Sequence, residues 1–124
     1  MVFDNSYNEQ ELIQHIIGGN ERAFAKLFDH YRDKIYSAAL KLTHSTVIAE
    51  EITEDVFLTI WLRRNSLNEI KSFSAYLFTI ATNKTYKILK QIAKNYKIVL
   101  LAENNEPITM ENSEDYLRSE EHTS

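Results

Sequence analysis

At 124 residues the chain has the length of one domain, and with Gly 2 and Pro 1 it has too few turn residues for an all-β fold. The lack of Cys excludes a disulfide framework and a thiolate metal site, and no apolar run is long enough to span a bilayer. The formal net charge of -4 conceals three blocks: eleven acids and seven bases in residues 1–69, six lysines and no acid in 70–102, and seven acids with one arginine in 103–124.

A basic block inside an acidic chain points to a polyanion as partner of that block. The opening "MVFDNSYNEQ" lacks the charged and apolar regions of a signal peptide, which together with the absent cysteines makes the cytoplasm the expected location.

Four helices are predicted. The first covers about 8–17, with Leu12, Ile13, Ile16 and Ile17 on one face; Gly18-Gly19 ends it and Asn20 caps the next. The second covers about 20–43, where Phe24, Leu27, Phe28, Tyr31, Ile35, Ala38, Ala39 and Leu42 recur at three and four residues as a long apolar stripe. "THST" (43–46) interrupts it, with Ser45 or Thr46 as cap of the third helix, about 46–62, whose apolar side is Ala49, Ile52, Val56, Phe57 and Ile60. A polar connection, "RRNSLNEIKS" (63–72), leads to the fourth, from near Ser72 to about 94–97, with Phe73, Leu77, Ile80, Ala81, Ile88 and Ile92 facing inward. Residues 98–117 read as a linker or acidic tail with little structure of its own. The last seven residues, "RSEEHTS" (118–124), resemble the in-frame translation of a sequencing-adapter oligonucleotide; they are read as foreign, with the natural chain expected to continue beyond about Leu117. The expected fold is thus all-α, a compact bundle of three to four helices over residues 1–97.

On the fourth helix Asn83, Lys87, Lys90, Lys94 and Lys97 are spaced four, three, four and three apart and form one stripe. Tyr76 and Thr79 continue it toward the N-terminus, and Tyr86 lies beside it. Lysines neutralise phosphates without reading sequence, whereas Asn and Tyr can reach base edges or stack on an unpaired base. The stripe has the ingredients for holding and for reading a nucleic acid. A merely solvated lysine face is the competing account; the missing Glu partners at i±4 count against it.

The third helix is acidic on one side. Glu50, Glu51, Glu54 and Asp55 in "AEEITEDVFLTIW" share a face that Leu58 and Trp61 extend. Carboxylates near a helix start suit its positive end, which explains some clustering but not the two large apolar groups. An acidic face with an apolar anchor fits a basic protein partner. A carboxylate-metal centre would need converging ligands, and no Glu-x-x-His pair is present, so neither metal nor cofactor is expected. No phosphate loop, nucleophile elbow or other catalytic motif occurs.

"AEEITEDVFLTIW" followed by "FSAYLFTIATNKTYKIL" resembles the second conserved region of bacterial RNA polymerase sigma factors, closest to the extracytoplasmic-function (ECF) group. The family pattern is Ala-Glu-Asp, an aliphatic, Gln-Glu, Phe and Trp, then Phe-x-Ala-Trp-Leu-Tyr-x-Ile-Ala-x-Asn; the resemblance covers about residues 8–97. It implies a non-enzymatic transcription initiation factor. Glu50, Glu51, Glu54, Asp55, Leu58 and Trp61 would dock on the coiled coil of the polymerase β′ subunit. The 63–72 loop would help capture a flipped base of the non-template strand at the minus-ten promoter element. Tyr76 and Thr79 would meet the opened strand, and Asn83, Tyr86 and Lys87 the duplex edge. The implied DNA-binding set is Arg63, Arg64, Lys71, Ser72, Phe73, Tyr76, Thr79, Asn83, Tyr86, Lys87, Lys90 and Lys94, and the family allows an anti-sigma factor as further partner, with no membrane and no small-molecule substrate.

The chain departs from the pattern at Glu54 for Gln, Asp55 for Glu, Thr82 for Arg and Lys87 for Asp or Asn, and Thr79 is not an aromatic wedge, which implies weaker melting power. The family's C-terminal helix-turn-helix is not found in these residues and is expected to follow the 98–117 linker in the continuing natural chain. The competing expectation is a helical interaction module, a decoy or adaptor that uses the acidic face and never touches DNA.

Overall fold

The computed structural model describes residues 7–104. Most of the predicted linker and the 118–124 segment lie outside them. The described residues are all-helical: α1 (Glu9–Ile17), α2 (Glu21–Thr43), α3 (Thr46–Leu62), a short 3-10 helix (Arg64–Glu69) and α4 (Phe73–Glu103). They fall into two compact units divided between Lys84 and Thr85.

The first three helix starts follow from local chemistry. Asn8, Asn20 and Ser45 each accept a backbone N–H three residues on, at 3.1, 3.0 and 3.1 Å, satisfying a donor the helix itself cannot. Between α1 and α2 the chain turns on Gly18-Gly19. Gly19 takes φ 89, a left-handed conformation that a Cβ disfavours, while its N–H reaches the Ile16 carbonyl at 2.8 Å. The α2–α3 turn uses His44 at φ 54, with its N–H on the Leu40 carbonyl at 2.8 Å.

In the first unit α2 packs on α3 and α1 packs on both α2 and the 3-10 helix. Leu27, Tyr31, Ile35 and Ala39 of α2 and Ala49, Ile52, Val56, Phe57 and Ile60 of α3 are buried, one stripe from each helix. Phe57 meets the edges of Phe28 and Phe24 at ring separations of 4.7 and 6.3 Å. Thr53 lies in this core with its hydroxyl donating to the Ala49 carbonyl at 2.7 Å, so no polar group is stranded. The start of α4 joins through Phe73, Leu77 and Ala81, with the Phe73 ring 5.5 Å from that of Tyr31.

A polar clasp closes α1 onto α2. The hydroxyls of Tyr7 and Tyr31 both donate to Glu9 Oε1, at 2.9 and 2.6 Å, and the Tyr7 ring stacks on His30 at 4.1 Å. Burial, then the Glu9 carboxylate, push the Tyr31 phenol up to about 12 and raise that of Tyr7 further.

Three expectations are corrected. Leu42 is exposed, one turn past Ala39, the last buried position of α2. Ile92 is exposed rather than inward. The fourth helix does not stop at 94–97: "IVLLAE" continues it to Glu103, because Leu and Ala favour helix and no Gly or Pro intervenes before Pro107.

Gly19→Ala should lower stability by about 1 kcal/mol, whereas Gly18→Ala, at φ -77 with its nearest neighbour 3.4 Å from the added Cβ, should change little; thermal melts of the two variants check this. The clasp also sets a pH dependence. Because the folded Tyr31 phenol titrates above its unfolded value, its contribution is complete below pH 10 and is lost as pH rises toward 12. Tyr31→Phe should therefore flatten the fall in melting temperature between pH 9 and 11 relative to the parent.

Candidate functional site

One side of α3 is committed to the core, so the other faces solvent. On it Val47, Glu51, Glu54, Leu58 and Leu62 follow one another at three or four residues, flanked by Glu50 and Asp55, and all are exposed. Val47, Leu58 and Leu62 are 65%, 54% and 70% exposed, a heavy apolar load for a face that supports no core. The helix begins at Thr46, so its first turn holds no acid and Glu50 enters only in the second. The helix dipole, whose effect fades within the first turn, therefore does not account for the cluster.

Two expected members of this face already have partners within the chain. Trp61 is half-buried, its ring 5.1 Å from that of Phe24. The Arg64 guanidinium lies 4.4 Å over the same indole and donates to the Trp61 carbonyl at 2.9 Å. Asp55 is ion-paired: Lys84 Nζ donates to its Oδ2 at 2.9 Å. Val47 and Leu62, missed in the sequence reading, extend the same stripe, one turn before Glu51 and one turn after Leu58. Lys84 is missed because a partner 29 residues away leaves no local sign.

The 63–72 connection is ordered by the 3-10 helix, by buried Leu67 and by Ser72, whose side chain accepts the Ala75 N–H at 3.2 Å and starts α4. Between this segment and α1 lies a groove of about 460 Å³. Gln10 and Gln14 of α1 face Asn68, Lys71 and Ser72 across it, over Ile13 and Phe73. The Glu9 carboxylate also lines it, with Oε1 engaged by the two phenols, and the remaining amides, hydroxyls and ammonium beside apolar residues suit a planar, hydrogen-bonding group. Phe73, expected among the DNA contacts, is buried against Tyr31 and serves as floor. Arg63 and Lys71 are exposed. The α1 side of the groove has no signature in the sequence.

Along α4 up to Lys84, Thr79, Thr82 and Asn83 are exposed and border with half-buried Phe78 a shallow depression of about 240 Å³; Tyr76 is half-buried. The Thr79 hydroxyl donates back to the Ala75 carbonyl at 2.8 Å. From Thr85 on, Tyr86 and Lys87 are exposed, but Lys90, Lys94 and Lys97 are half-buried. The expected ridge of five outward groups is thereby corrected to an open first half and a partly covered second half. Helix geometry alone does not give this: at about 100° per residue Lys94 falls between Asn83 and Lys87, both of which are exposed. The crest passes instead to Gln91, Ile92, Asn95, Tyr96, Val99 and Leu100. Among the described residues no three His, Asp or Glu side chains stand close enough to hold a metal ion, and no helix is long and apolar enough to cross a membrane.

A protein-family comparison matches the model described as Sigma-70 region 2 over residues 27–95. Among curated proteins, the chain is 29% identical over 98 residues to the ECF RNA polymerase sigma factor SigW of Bacillus subtilis, covering 79% of this chain and 52% of that protein. It is 28% identical over 71 residues to SigK of Mycobacterium tuberculosis, covering 56% and 38%, and 33% identical over 66 residues to RpoE of Cereibacter sphaeroides, covering 52% and 36%. The chain thus spans about half or less of the length of these relatives. No solved structure gives a significant match. With a region 2 match across more than half its length, from the second turn of α2 through the acidic face of α3 and most of α4, the chain belongs to the sigma-70 region 2 family, with distant homology to ECF sigma factors.

Proposed function

We propose that the chain is the polymerase-docking and promoter-opening part of a transcription initiation factor and performs no catalysis. One observation carries this reading. The solvent side of α3 presents Glu50, Glu51, Glu54 and Asp55 among exposed Leu58, Leu62 and Val47, a surface its own fold leaves open apart from the Lys84 pair at Asp55. Its occupant is a basic helical partner, the β′ coiled coil of core RNA polymerase, with the leucines filling apolar gaps and the carboxylates setting register and steering approach. Trp61 supports the face from behind through Phe24 and Arg64.

The second half of the proposal is capture of the non-template strand at the minus-ten element. The groove between α1 and the 63–72 segment takes a base flipped from the stack. Tyr76, Thr79, Asn83 and Tyr86 meet the neighbouring bases, and Arg63, Lys71, Lys87, Lys90 and Lys94 meet phosphates. Arg64, held on Trp61, contributes its charge at the loop entrance. Opening is then work done by binding: trapping an unstacked base offsets an unpairing cost of about a few kcal/mol, and no nucleotide hydrolysis is required. The half-buried lysines still serve, since a lysine stem can be covered while its ammonium reaches out. The site of action is the cytoplasm, where polymerase and promoter are, and an anti-sigma factor is a further partner.

A second reading, an adaptor that binds protein and never DNA, is favoured by one feature: Ile92, Tyr96, Val99 and Leu100 stand exposed on α4 beside the lysines. Replacing Lys87, Lys90 and Lys94 by Ala separates the two. The promoter reading expects weaker binding to a bubble-containing promoter at every sequence, with the salt slope reduced by about 0.7–0.9 for each phosphate no longer neutralised; the adaptor reading expects no change. Replacing Glu51, Glu54 and Asp55 by Ala, or Leu58 and Leu62 by Gln, should abolish co-purification with core polymerase while the leucine changes shift stability by only about 0.5 kcal/mol. Undiminished co-purification would remove α3 from the docking surface.

A further inference from the structure

The Lys84–Asp55 pair joins the two halves of that proposal. Asp55 lies on the docking side of α3, and its side chain is 56% exposed, open to an incoming cation. Lys84, on α4 directly after Asn83, is only 25% exposed, with its ammonium 2.9 Å from the carboxylate. Asn83 with Thr79 and Thr82 borders the depression on the nucleic-acid side of α4. The lysine therefore sits at the boundary between the two candidate surfaces, spent on the wrong one in the free protein.

We infer that this pair is a displaceable tie: a cationic side chain of the docked protein takes over Asp55 and releases Lys84 to a phosphate of the nucleic acid. The inference rests on the docking reading above. Because the Asp55 carboxylate is more than half exposed and stays paired throughout, exchanging one cation for another there costs little. The freed ammonium then gains by displacing counterions from the strand. Only a lysine side chain has to swing. By linkage the effect runs both ways once the protein partner is docked: a strand that holds the released Lys84 in turn favours the partner's cation at Asp55. Lys84 is in this sense a positioning residue that acts through Asp55, and it couples the two surfaces.

The test uses the full chain and its Asp55→Asn, Lys84→Gln and double variants. With a single-stranded oligonucleotide, Asp55→Asn should steepen the dependence of log K on log salt by about 0.7, one phosphate's worth, and the double variant should return to the parent slope. Lys84→Gln alone should leave the slope where it was. A gain that persists in the double variant means that removing any carboxylate suffices, and overturns the tie. So does a slope already reduced by Lys84→Gln alone, and so does a complete lack of oligonucleotide binding. A readout without DNA separates this from the docking reading: acylation of the Lys84 amine, followed by mass spectrometry. Lys84 should react several-fold faster in Asp55→Asn than in the parent, and addition of core polymerase should bring the parent up to the same rate. Polymerase that co-purifies yet leaves Lys84 protected overturns the tie alone; polymerase that does not co-purify overturns the docking reading and this inference with it.

Discussion

The seam between α2 and α3 dictates what every other surface can do. Leu27, Tyr31, Ile35 and Ala39 on one helix and Ala49, Ile52, Val56, Phe57 and Ile60 on the other are all removed from water. At about 0.8 kcal/mol per buried methylene, this seam outweighs any single polar contact in the molecule. Its consequence is directional. With 3.6 residues per turn, an α3 whose core stripe is satisfied must turn Glu51, Glu54, Leu58 and Leu62 away, whatever their chemistry. A rotation that sheltered the leucines would drag the carboxylates toward the core, where unpaired charge is prohibitively costly. The exposed leucines are thus held out by their acidic neighbours as much as by the seam.

The same seam provides the surface on which α1 is mounted, and α1 in turn makes the groove. Gln10 and Gln14 reach the 63–72 segment only because α1 is held against α2, through Leu12 and Ile16 below and through Glu9 with its two phenols above. The clasp is a firm one: one carboxylate oxygen accepts two short bonds, and each phenol is neutral across the whole physiological range. A short helix joined by a Gly-Gly turn would otherwise fray, since nine residues cannot sustain an isolated helix. The position of the groove wall therefore depends on a polar contact, and the shape of its floor on an apolar one, Phe73 against Tyr31.

The parts of the fold legible in the sequence are those decided within one turn of chain. Asn8, Asn20 and Ser45 cap their helices through bonds three residues long, which is why the starts and ends of α1, α2 and α3 can be read directly. The all-α class follows from the scarcity of Gly and Pro, and the outward position of Glu50, Glu51, Glu54, Asp55 and Leu58 from the inward position of their neighbours. What is not legible depends on partners distant in the chain. Glu9 meets Tyr31 22 residues away, Lys84 meets Asp55 29 residues away, and Trp61 is drawn inward by Phe24. The end of α4 escapes sequence reading for a different reason. The composition shifts after Lys97 and so suggests an end of structure, although "IVLLAE" contains nothing that stops a helix.

The lysines of α4 illustrate how a one-dimensional spacing misleads at length. At about 100° per residue Lys94 lies between Asn83 and Lys87, both exposed, yet it is half-buried, as are Lys90 and Lys97, while Ile92, Tyr96 and Val99 stand out. A four-three spacing tells which residues share a face of a helix. Whether that face is open is decided by what packs beside it, and that is written elsewhere in the chain.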